Sequence, residues 1–176
     1  MKKNSLIISW CTDKSKIDEY INFFVSNVDN IYISHGEYQC GRSKDMEHWG
    51  GNLKSSLHEE FLHIIQPDKN NTCLKRIALA SVDDKLVGLF IVYIVSEIEN
   101  SYAIIEDMIV EKSRQNQGIG SVMLSWLEDE LREMDIQMIF LESGIRNKNA
   151  HFFFEKSGFF ICSYVMAKNI RNSLTD

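Results

Sequence analysis

Apolar residues recur with two different periods along the chain, and the changes of period predict the order of its elements. Residues 6–11 form a short apolar run typical of a strand, and apolar positions then recur at helical spacing from Ile17 to Val28. Residues 34–56 are polar and irregular, which predicts a long loop with room for a helical turn. A short helix is expected over residues 57–65, with a turn at Pro67 and residues 68–71.

The rest of the chain alternates apolar runs with amphipathic stretches. Residues 75–82 and 86–96 predict two strands joined by Asp83-Asp84-Lys85 as a hairpin. The further expected elements are a strand over 103–110, an amphipathic helix from Ile119 to Met134, a strand over 138–141, a helix over 149–156 and a last strand over 159–166. This order predicts an α/β chain with one compact domain over residues 1–176.

Composition and charge narrow the class of protein. Hydrophobic residues make up 44% and charged residues 25%, as in soluble globular domains. The longest apolar run covers residues 86–95, about half of the roughly twenty residues that a membrane helix needs, and no export signal is visible. The net charge of -6 argues against a nucleic-acid surface and suits a cationic small substrate.

The cysteines predict a reducing compartment. Cys11, Cys40, Cys73 and Cys162 lack the paired spacing of a zinc or redox motif, so we expect free thiols and a cytoplasmic location. The histidines do not predict a metal site either. His58 and His63 are five residues apart, which places them about 140° apart around a helix, too far to bind one ion together. The run from Phe152 to Phe154 predicts core packing.

A glycine-bearing turn joins the strand ending at Val110 to the amphipathic helix. Its sequence is Gln115-Asn116-Gln117-Gly118-Ile119-Gly120, and such a turn at a helix N-terminus can hold a pyrophosphate on backbone N–H groups. A dinucleotide fingerprint would need glycine at Met123, and a P-loop would need Gly-Lys-Ser/Thr after Gln117. By itself the motif leaves open a tight turn without a ligand.

A second motif begins about thirty residues further on, at Asn147-Lys148-Asn149-Ala150, and ends in Phe154-Glu155-Lys156-Ser157-Gly158-Phe159. Together the two motifs resemble the GNAT superfamily of N-acetyltransferases. The specific part of this resemblance lies within residues 104–160, and the N-terminal third is similar in element order only. The resemblance implies a mixed, mostly antiparallel sheet flanked by helices, with acetyl-CoA inserted between two splayed central strands.

The resemblance also implies which residues bind acetyl-CoA. These are Met108, Ile109 and Val110 at the strand edge, Gln115, Asn116, Gln117, Gly118, Ile119, Gly120 and Ser121 around the pyrophosphate, and Asn147 and Phe154 from the last helix. Many family members carry a tyrosine at the position of Phe154, where it can protonate the departing thiolate. Here the thiolate leaves unprotonated, as a thiol pKa of about 8.5 allows, or another donor such as Tyr164 acts.

An ammonium acceptor must lose a proton before it attacks a thioester, so a base is needed near the strand edge. Glu106 is our candidate for this catalytic base, and a structural ion pair is the alternative role. Because side chains alternate along a strand, Glu106 and Met108 are expected on one face, and Asp107 and Ile109 on the other. A backbone N–H near Met108 or Ile109 is expected to bind the developing oxyanion.

Four further residues are candidates for binding the acceptor. They are Glu37, Tyr38 and Trp49 in the long loop, and Glu142 after the strand over 138–141; a solvated loop is the alternative. A carboxylate-lined cleft favours a small cationic amine such as an antibiotic, a polyamine or an amino-acid derivative. Two other functions stay open: a protein N-terminal or lysine acetyltransferase, and a non-catalytic CoA-binding sensor. A homodimer is among the assemblies that the sequence allows.

Overall fold

The structure is a computed structural model that describes residues 5–66, 74–96 and 99–170. The elements are β1 (Leu6–Trp10), α1 (Ile17–Asn27), α2 (His35–Gln39), α3 (Leu53–Ile65), β2 (Leu74–Val82), β3 (Lys85–Val95), β4 (Tyr102–Val110), α4 (Ile119–Glu133), β5 (Met138–Leu141) and α5 (Lys148–Lys156). No helix in these ranges is long and apolar enough to cross a membrane.

The strands form one sheet in the order β1-β2-β3-β4-β5, antiparallel throughout except for the parallel pair of β4 and β5. The β2–β3 hairpin turns at Asp83 and Asp84, whose φ angles of 50° and 60° are those of a two-residue turn that matches the strand twist. The predicted hairpin is therefore confirmed.

Helices cover both faces of the sheet. On one face α4 buries Met123, Leu124 and Leu127 against Phe90 and other sheet residues. On the opposite face α1 and α3 bury side chains such as Phe24, Leu57 and Phe61 against Leu89 and Ile91 of β3. The predicted mixed, mostly antiparallel sheet flanked by helices is confirmed.

The polar stretch between α1 and α3 contains more regular structure than its composition predicts. Helix α2 begins within this stretch because Ser34 and Glu37 form a capping box. The Ser34 side chain caps the first N–H groups of the helix, and the Glu37 carboxylate accepts from the backbone N–H of Ser34 at 2.7 Å. Helix α3 begins at Leu53, four residues before the predicted start at Leu57. The turn predicted at Pro67 and residues 68–71 lies outside the described residues.

The last predicted strand, over residues 159–166, is wrong for this chain. Residues 159–168 follow the Gly158 turn without regular secondary structure, and all of them from Phe160 onward are exposed. Apolar, β-prone composition makes a segment suitable for a strand, but a strand also needs a neighbour for its backbone hydrogen bonds. No described strand of the chain pairs with this segment.

Candidate active site

Strands β4 and β5 part within the sheet. Their parallel pairing runs from Tyr102 opposite Met138 to Ile105 opposite Leu141, where β5 ends. Strand β4 continues to Val110, and over this part β3 on its other side is the only described strand that pairs with it. Outside the sheet, the Met108 N–H donates to the Tyr32 hydroxyl and the Val110 carbonyl accepts from Gln115 Nε2. From Glu106 onward one edge of β4 is therefore free of a neighbouring strand, as the predicted splayed pair requires.

A β-bulge lies at the point of parting. In the β3–β4 register Ile91 is opposite Asp107 and Val92 is opposite Ile105, so Glu106 is the extra residue. A bulge places two successive side chains on the same side of a sheet. The expectation that Glu106 and Asp107 face opposite sides is accordingly wrong, because both contact partners on the α1–α3 side.

These partners form a charge cluster beneath the bulge, which comprises Arg42, Glu60, Lys75, Glu106 and Asp107. Lys75 Nζ lies 2.6 Å from Glu106 Oε2 and 3.2 Å from Glu60 Oε1. Arg42 donates to Glu60 and, at 2.8 Å, to Asp107 Oδ2. Two cations thus alternate with three carboxylates, and Glu60 links the two halves of the cluster.

Burial differs sharply between the two ends of the charge cluster. The side chains of Arg42 and Asp107 are 7% and 0% exposed, whereas Glu106 and Lys75 are 29% and 32% exposed. Burial raises the pKa of Glu106 above the ordinary carboxyl value, and the contact with Lys75 opposes this shift without cancelling it. Glu106 is thus a carboxylate that water and a ligand can reach and whose basicity is increased.

Tyr32 links the charge cluster to the free edge of β4. Its hydroxyl donates to Asp107 Oδ1 at 2.9 Å and accepts from the backbone N–H of Met108 at 3.3 Å. Burial, and then the negative charge of Asp107, raise the pKa of Tyr32 well above its usual value, so its proton stays in place at neutral pH. The Met108 N–H, a predicted oxyanion donor, is thus engaged by the hydroxyl of Tyr32, a residue that also lines the cleft.

A cleft occupies this gap and collects several of the predicted residues. It is lined by Glu37, Glu106, Met108, Glu142, Asn147 and Phe154, together with Tyr32, Ser34, Ile105, Leu141, Ser143 and Ala150. Asn147 also caps α5 by accepting from the Ala150 N–H at 3.3 Å. Phe154 packs edge-on against Phe153 and Phe159, with ring centroids 5.1 and 5.4 Å away. Ile109, by contrast, is buried in the core on the α1–α3 side.

Three carboxylates meet at this cleft. Glu142 accepts from Ser34 Oγ and from the Gly36 N–H at 2.9 Å, and it lies 3.0 Å from His35 Nδ1. Glu37 Oε2 lies 2.6 Å from the same Ser34 hydroxyl, whose single proton the two carboxylates share. These two and Glu106 give the cleft a negative lining.

The other two acceptor candidates do not line the cleft. Tyr38 is 55% exposed. Trp49 packs on Tyr32 with ring centroids 6.2 Å apart and donates to the Asp29 carbonyl at 3.2 Å. Trp49 thus contacts the cleft only through Tyr32.

The turn before α4 has the geometry of an anion cradle. Asn116 and Gly118 have φ angles of 60° and 83°, and Gly118 is the N-cap residue of the 15-residue helix α4, which has no side-chain cap. Nothing lies within 4 Å of where a Cβ on Gly118 would be, so space is open beside the first N–H groups of the helix. Met108, at the cleft, lies 3.4 Å from the Cβ position of Gly120, which connects the cradle to the cleft.

Four functional candidates lacked a signal in the sequence. Tyr32, Arg42, Glu60 and Lys75 belong to α3, β2 and the loops before α3, and none of them lies in a recognisable motif. Only the tertiary contacts bring Tyr32, Arg42, Glu60 and Lys75 to the site.

The sequence predicted no metal site. In the ranges that the structure describes, no group of three or more His, Cys, Asp or Glu side chains could hold an ion.

Comparisons with known proteins agree with this geometry. Residues 43–159 match the model of the acetyltransferase (GNAT) family. No curated protein sequence matches the chain significantly. Three solved structures similar to the chain are a transcriptional regulator from Bacillus halodurans, an aminoglycoside N-acetyltransferase in complex with CoA, and a ribosomal-protein-alanine N-acetyltransferase from Brucella melitensis.

These structures are similar in fold over almost the whole chain. The first has 19% identity and a TM-score of 0.67, and the match covers 94% of this chain and 100% of that one. The second has 12% identity, a TM-score of 0.67 and 97% coverage of both chains. The third has 15% identity, a TM-score of 0.61 and coverage of 94% and 100%. At such identities the likeness concerns the fold and leaves the acceptor open.

Proposed function

The chain belongs to the GNAT family of acetyltransferases, and we propose that it acetylates the primary amine of a small cationic acceptor by direct attack in a ternary complex. It is an N-acetyltransferase that depends on acetyl-CoA as its cosubstrate. The observation that carries the proposal is the cleft itself, where the carboxylates of Glu37, Glu106 and Glu142 surround the free edge of β4. Among the solved structures, an aminoglycoside N-acetyltransferase and a ribosomal-protein-alanine N-acetyltransferase both share this fold, so the proposal for the acceptor depends on the cleft and not on the fold.

The residues present fit acetyl-CoA at two places. The uncapped N–H groups at the start of α4 suit its pyrophosphate, and the free edge of β4 from Met108 to Val110 suits its amide-bearing arm. Bound there, acetyl-CoA supplies a thioester whose carbonyl carbon an amine can attack. We assign residues 115–121 to the pyrophosphate, and Asn147 and Phe154 to the arm.

Ser121→Asp tests the pyrophosphate assignment. Ser121 is exposed in the first turn of α4, where a carboxylate stabilises the helix by about 0.3–1 kcal/mol but repels a bound diphosphate. We expect unchanged or slightly raised thermal stability together with about tenfold weaker CoA binding, a loss of about 1.4 kcal/mol. Calorimetric titration with CoA measures the second effect.

Ser125→Asp is the matched control, since Ser125 is also exposed and lies one turn further along α4. The dipole effect and the repulsion both decline within the first turn, so this variant should bind CoA almost as the unaltered protein does. If Ser121→Asp and the unaltered protein bound CoA with equal affinity, the assignment of the pyrophosphate to this turn would be contradicted.

We propose Glu106 as the base that accepts the proton of the acceptor ammonium, directly or through a water. Its carboxylate lines the cleft, is 29% exposed and has a raised pKa. Asp107 is a poorer candidate, because its two oxygens accept from Tyr32 and Arg42 in a fully buried position. Lys75 opposes the rise that burial causes in the pKa of Glu106 and orients the carboxylate, while leaving part of it accessible.

Two outcomes were expected for the departing CoA thiolate: it leaves unprotonated, or a side chain such as Tyr164 protonates it. Phe154 lines the cleft but carries no proton to donate, and Tyr164 is 85% exposed on the segment after α5. The Tyr32 hydroxyl is in the cleft, yet it donates to Asp107 and its pKa is raised. We therefore propose that the thiolate leaves without a proton from these side chains. We also propose that the Met108 N–H stabilises the oxyanion by exchanging its 3.3 Å contact with the Tyr32 hydroxyl for one with the substrate.

An assay of thiol release from acetyl-CoA across a panel of amines tests the function. We expect turnover with polyamines, aminoglycosides or basic amino-acid derivatives, and little with neutral or acidic amines, because the cleft is lined by carboxylates. Turnover only with protein N-termini or lysines would contradict the small acceptor. CoA binding without turnover on any amine would contradict catalysis and favour a sensor.

A further inference from the structure

Three loops surround one side of the cleft, and we call them the rim. They are residues 28–34 between α1 and α2, residues 43–49 between α2 and α3, and residues 142–147 between β5 and α5. The first and the third line the cleft directly, and the second contacts it through Trp49, which packs on Tyr32. Loops of this kind are less firmly fixed than the strands of a sheet, so their relative positions depend on individual contacts.

One side chain, Arg146, joins all three parts of the rim. Its Nη2 donates to the Asn30 carbonyl at 2.9 Å and to the Met46 carbonyl at 3.0 Å. Its Nη1 lies 3.8 Å from Glu47 Oε1. A guanidinium carries several N–H donors in one rigid plane, so it can hold several acceptors in fixed directions at once. Arg146 therefore fixes the three loops relative to one another.

The backbones of two rim loops approach closely beside this guanidinium. A Cβ on Gly144 would lie 2.4 Å from the Ile33 carbonyl oxygen and 2.9 Å from the Ile31 carbonyl oxygen, so the approach requires glycine. At the cleft the same pair of loops is joined by Glu142, which accepts from Ser34 Oγ. The loop over residues 142–147 is thus held at Glu142, which lines the cleft, and at Arg146, which does not.

We infer that Arg146 is a positioning residue, which holds the rim in the arrangement that binds the acceptor amine. This inference rests on the proposed acetylation of a small amine. Without the Arg146 contacts the rim would occupy other arrangements as well, and the apparent affinity for the acceptor would fall in proportion to the competent fraction. Glu106 and Met108 lie on β4, which β3 holds in the sheet, so the chemical step should be spared.

A general role of Arg146 in stability fits these contacts less well. Its side chain is 39% exposed and that of Glu47 is 67% exposed, and ion pairs at such exposure contribute little to the free energy of folding. Both carbonyl contacts of the guanidinium are exposed as well. The contacts of Arg146 therefore set local geometry more than they stabilise the fold.

Arg146→Ala tests this role, and Arg132→Ala is its matched control. Arg132 also is an exposed arginine with two contacts, but it lies on α4, outside the cleft. The probe is kanamycin or putrescine, whichever the unaltered enzyme acetylates faster. In Arg146→Ala we expect KM for this amine to rise about tenfold, while kcat and the dissociation constant of CoA change by less than about twofold. Arg132→Ala should leave all three quantities unchanged.

Two further measurements distinguish positioning from a general loss of structure. Added methylguanidinium should lower KM for the amine in Arg146→Ala, because the side chain it replaces is open to solvent, and should not do so in Arg132→Ala. Backbone N–H groups of residues 28–34 and 43–49 should exchange hydrogen faster in Arg146→Ala than in the unaltered protein, whereas those of β4 should not.

The results separate this inference from the proposed function. An unaltered protein that acetylates no amine would contradict the proposed function, and equal hydrogen exchange in the rim of Arg146→Ala would then overturn the positioning role as well. With an active enzyme, an unchanged KM for the amine in Arg146→Ala would overturn the inference. So would a parallel loss of kcat and of CoA affinity, since this would show that the substitution disturbs the whole site.

Discussion

Glu106→Gln is expected to lower kcat by about two to four orders of magnitude at neutral pH, the usual contribution of a positioned general base. At neutral pH nearly all of an alkylamine acceptor is ammonium, so turnover depends on proton removal in the site. At high pH free amine is abundant and the loss should be smaller. In the unaltered enzyme activity should fall with decreasing pH through the pKa of Glu106, which lies above the ordinary 4.5. This acid limb should be absent in the variant.

The fold should survive this substitution, because Lys75 keeps Glu60 at 3.2 Å as a partner. Glu142→Gln is the matched control, since it removes one carboxylate charge from the same cleft. It should raise KM for a cationic acceptor severalfold and leave the pH dependence of kcat unchanged. Steady-state kinetics from pH 4.5, the ordinary carboxyl pKa, up to about pH 10 measure both variants and include the predicted acid limb. A loss of the same size at every pH in Glu106→Gln would contradict proton transfer and leave the ion pair with Lys75 as its role.

Arg42→Met is expected to destabilise the protein by about 3–5 kcal/mol, a large part of the about 5–15 kcal/mol that such domains possess. Arg42 is 7% exposed and pairs with Glu60 and with the fully buried Asp107. Without the guanidinium, the Asp107 charge keeps only the hydrogen bond from Tyr32. Because this cluster supports the bulge at Glu106, kcat should fall as well. Urea unfolding measures the change.

The difference in stability between the unaltered protein and Arg42→Met should depend on pH in a defined direction. Burial raises the pKa of Glu60, but the charges of Arg42 and Lys75 outweigh burial and hold that pKa below 4.5. A lowered carboxyl pKa contributes stability above the unfolded pKa of about 4.3, and this contribution is lost as pH falls through the folded pKa. Acidification should therefore lower the free energy of unfolding of the unaltered protein more than that of Arg42→Met. The difference between the two free energies should become smaller below about pH 4.3.

Arg132→Met is the control for the Arg42 experiment. Arg132 also contacts two carboxylates, Glu128 and Asp129, but its side chain is 63% exposed. Exposed pairs contribute about 0–1 kcal/mol, so this variant should be almost as stable as the unaltered protein. Equal effects of the two substitutions would show that burial does not set the strength of the Arg42 contacts.

Several elements could be predicted because their signals are local. The Asp83-Asp84 turn needs two residues that tolerate positive φ, and short polar side chains at that place suffice to indicate it. Helix α4 was predictable from its apolar periodicity alone. The last strand was not, because the fate of residues 159–168 depends on whether an edge strand is available beside them. The uneven burial of the charge cluster, with Asp107 fully buried and Glu106 29% exposed, could not be predicted from the sequence either.

By itself the sequence determined the order of the elements, the glycine turn before α4 and, through two motifs, the family of the protein. These properties depend on backbone preferences and on spacings within a few residues. The tertiary structure alone decided that a bulge turns Glu106 and Asp107 to one side, and that Tyr32, Arg42 and Lys75 meet them there. Such contacts join residues up to 75 positions apart, and their charges acquire their strength from burial that only the packed sheet and helices create.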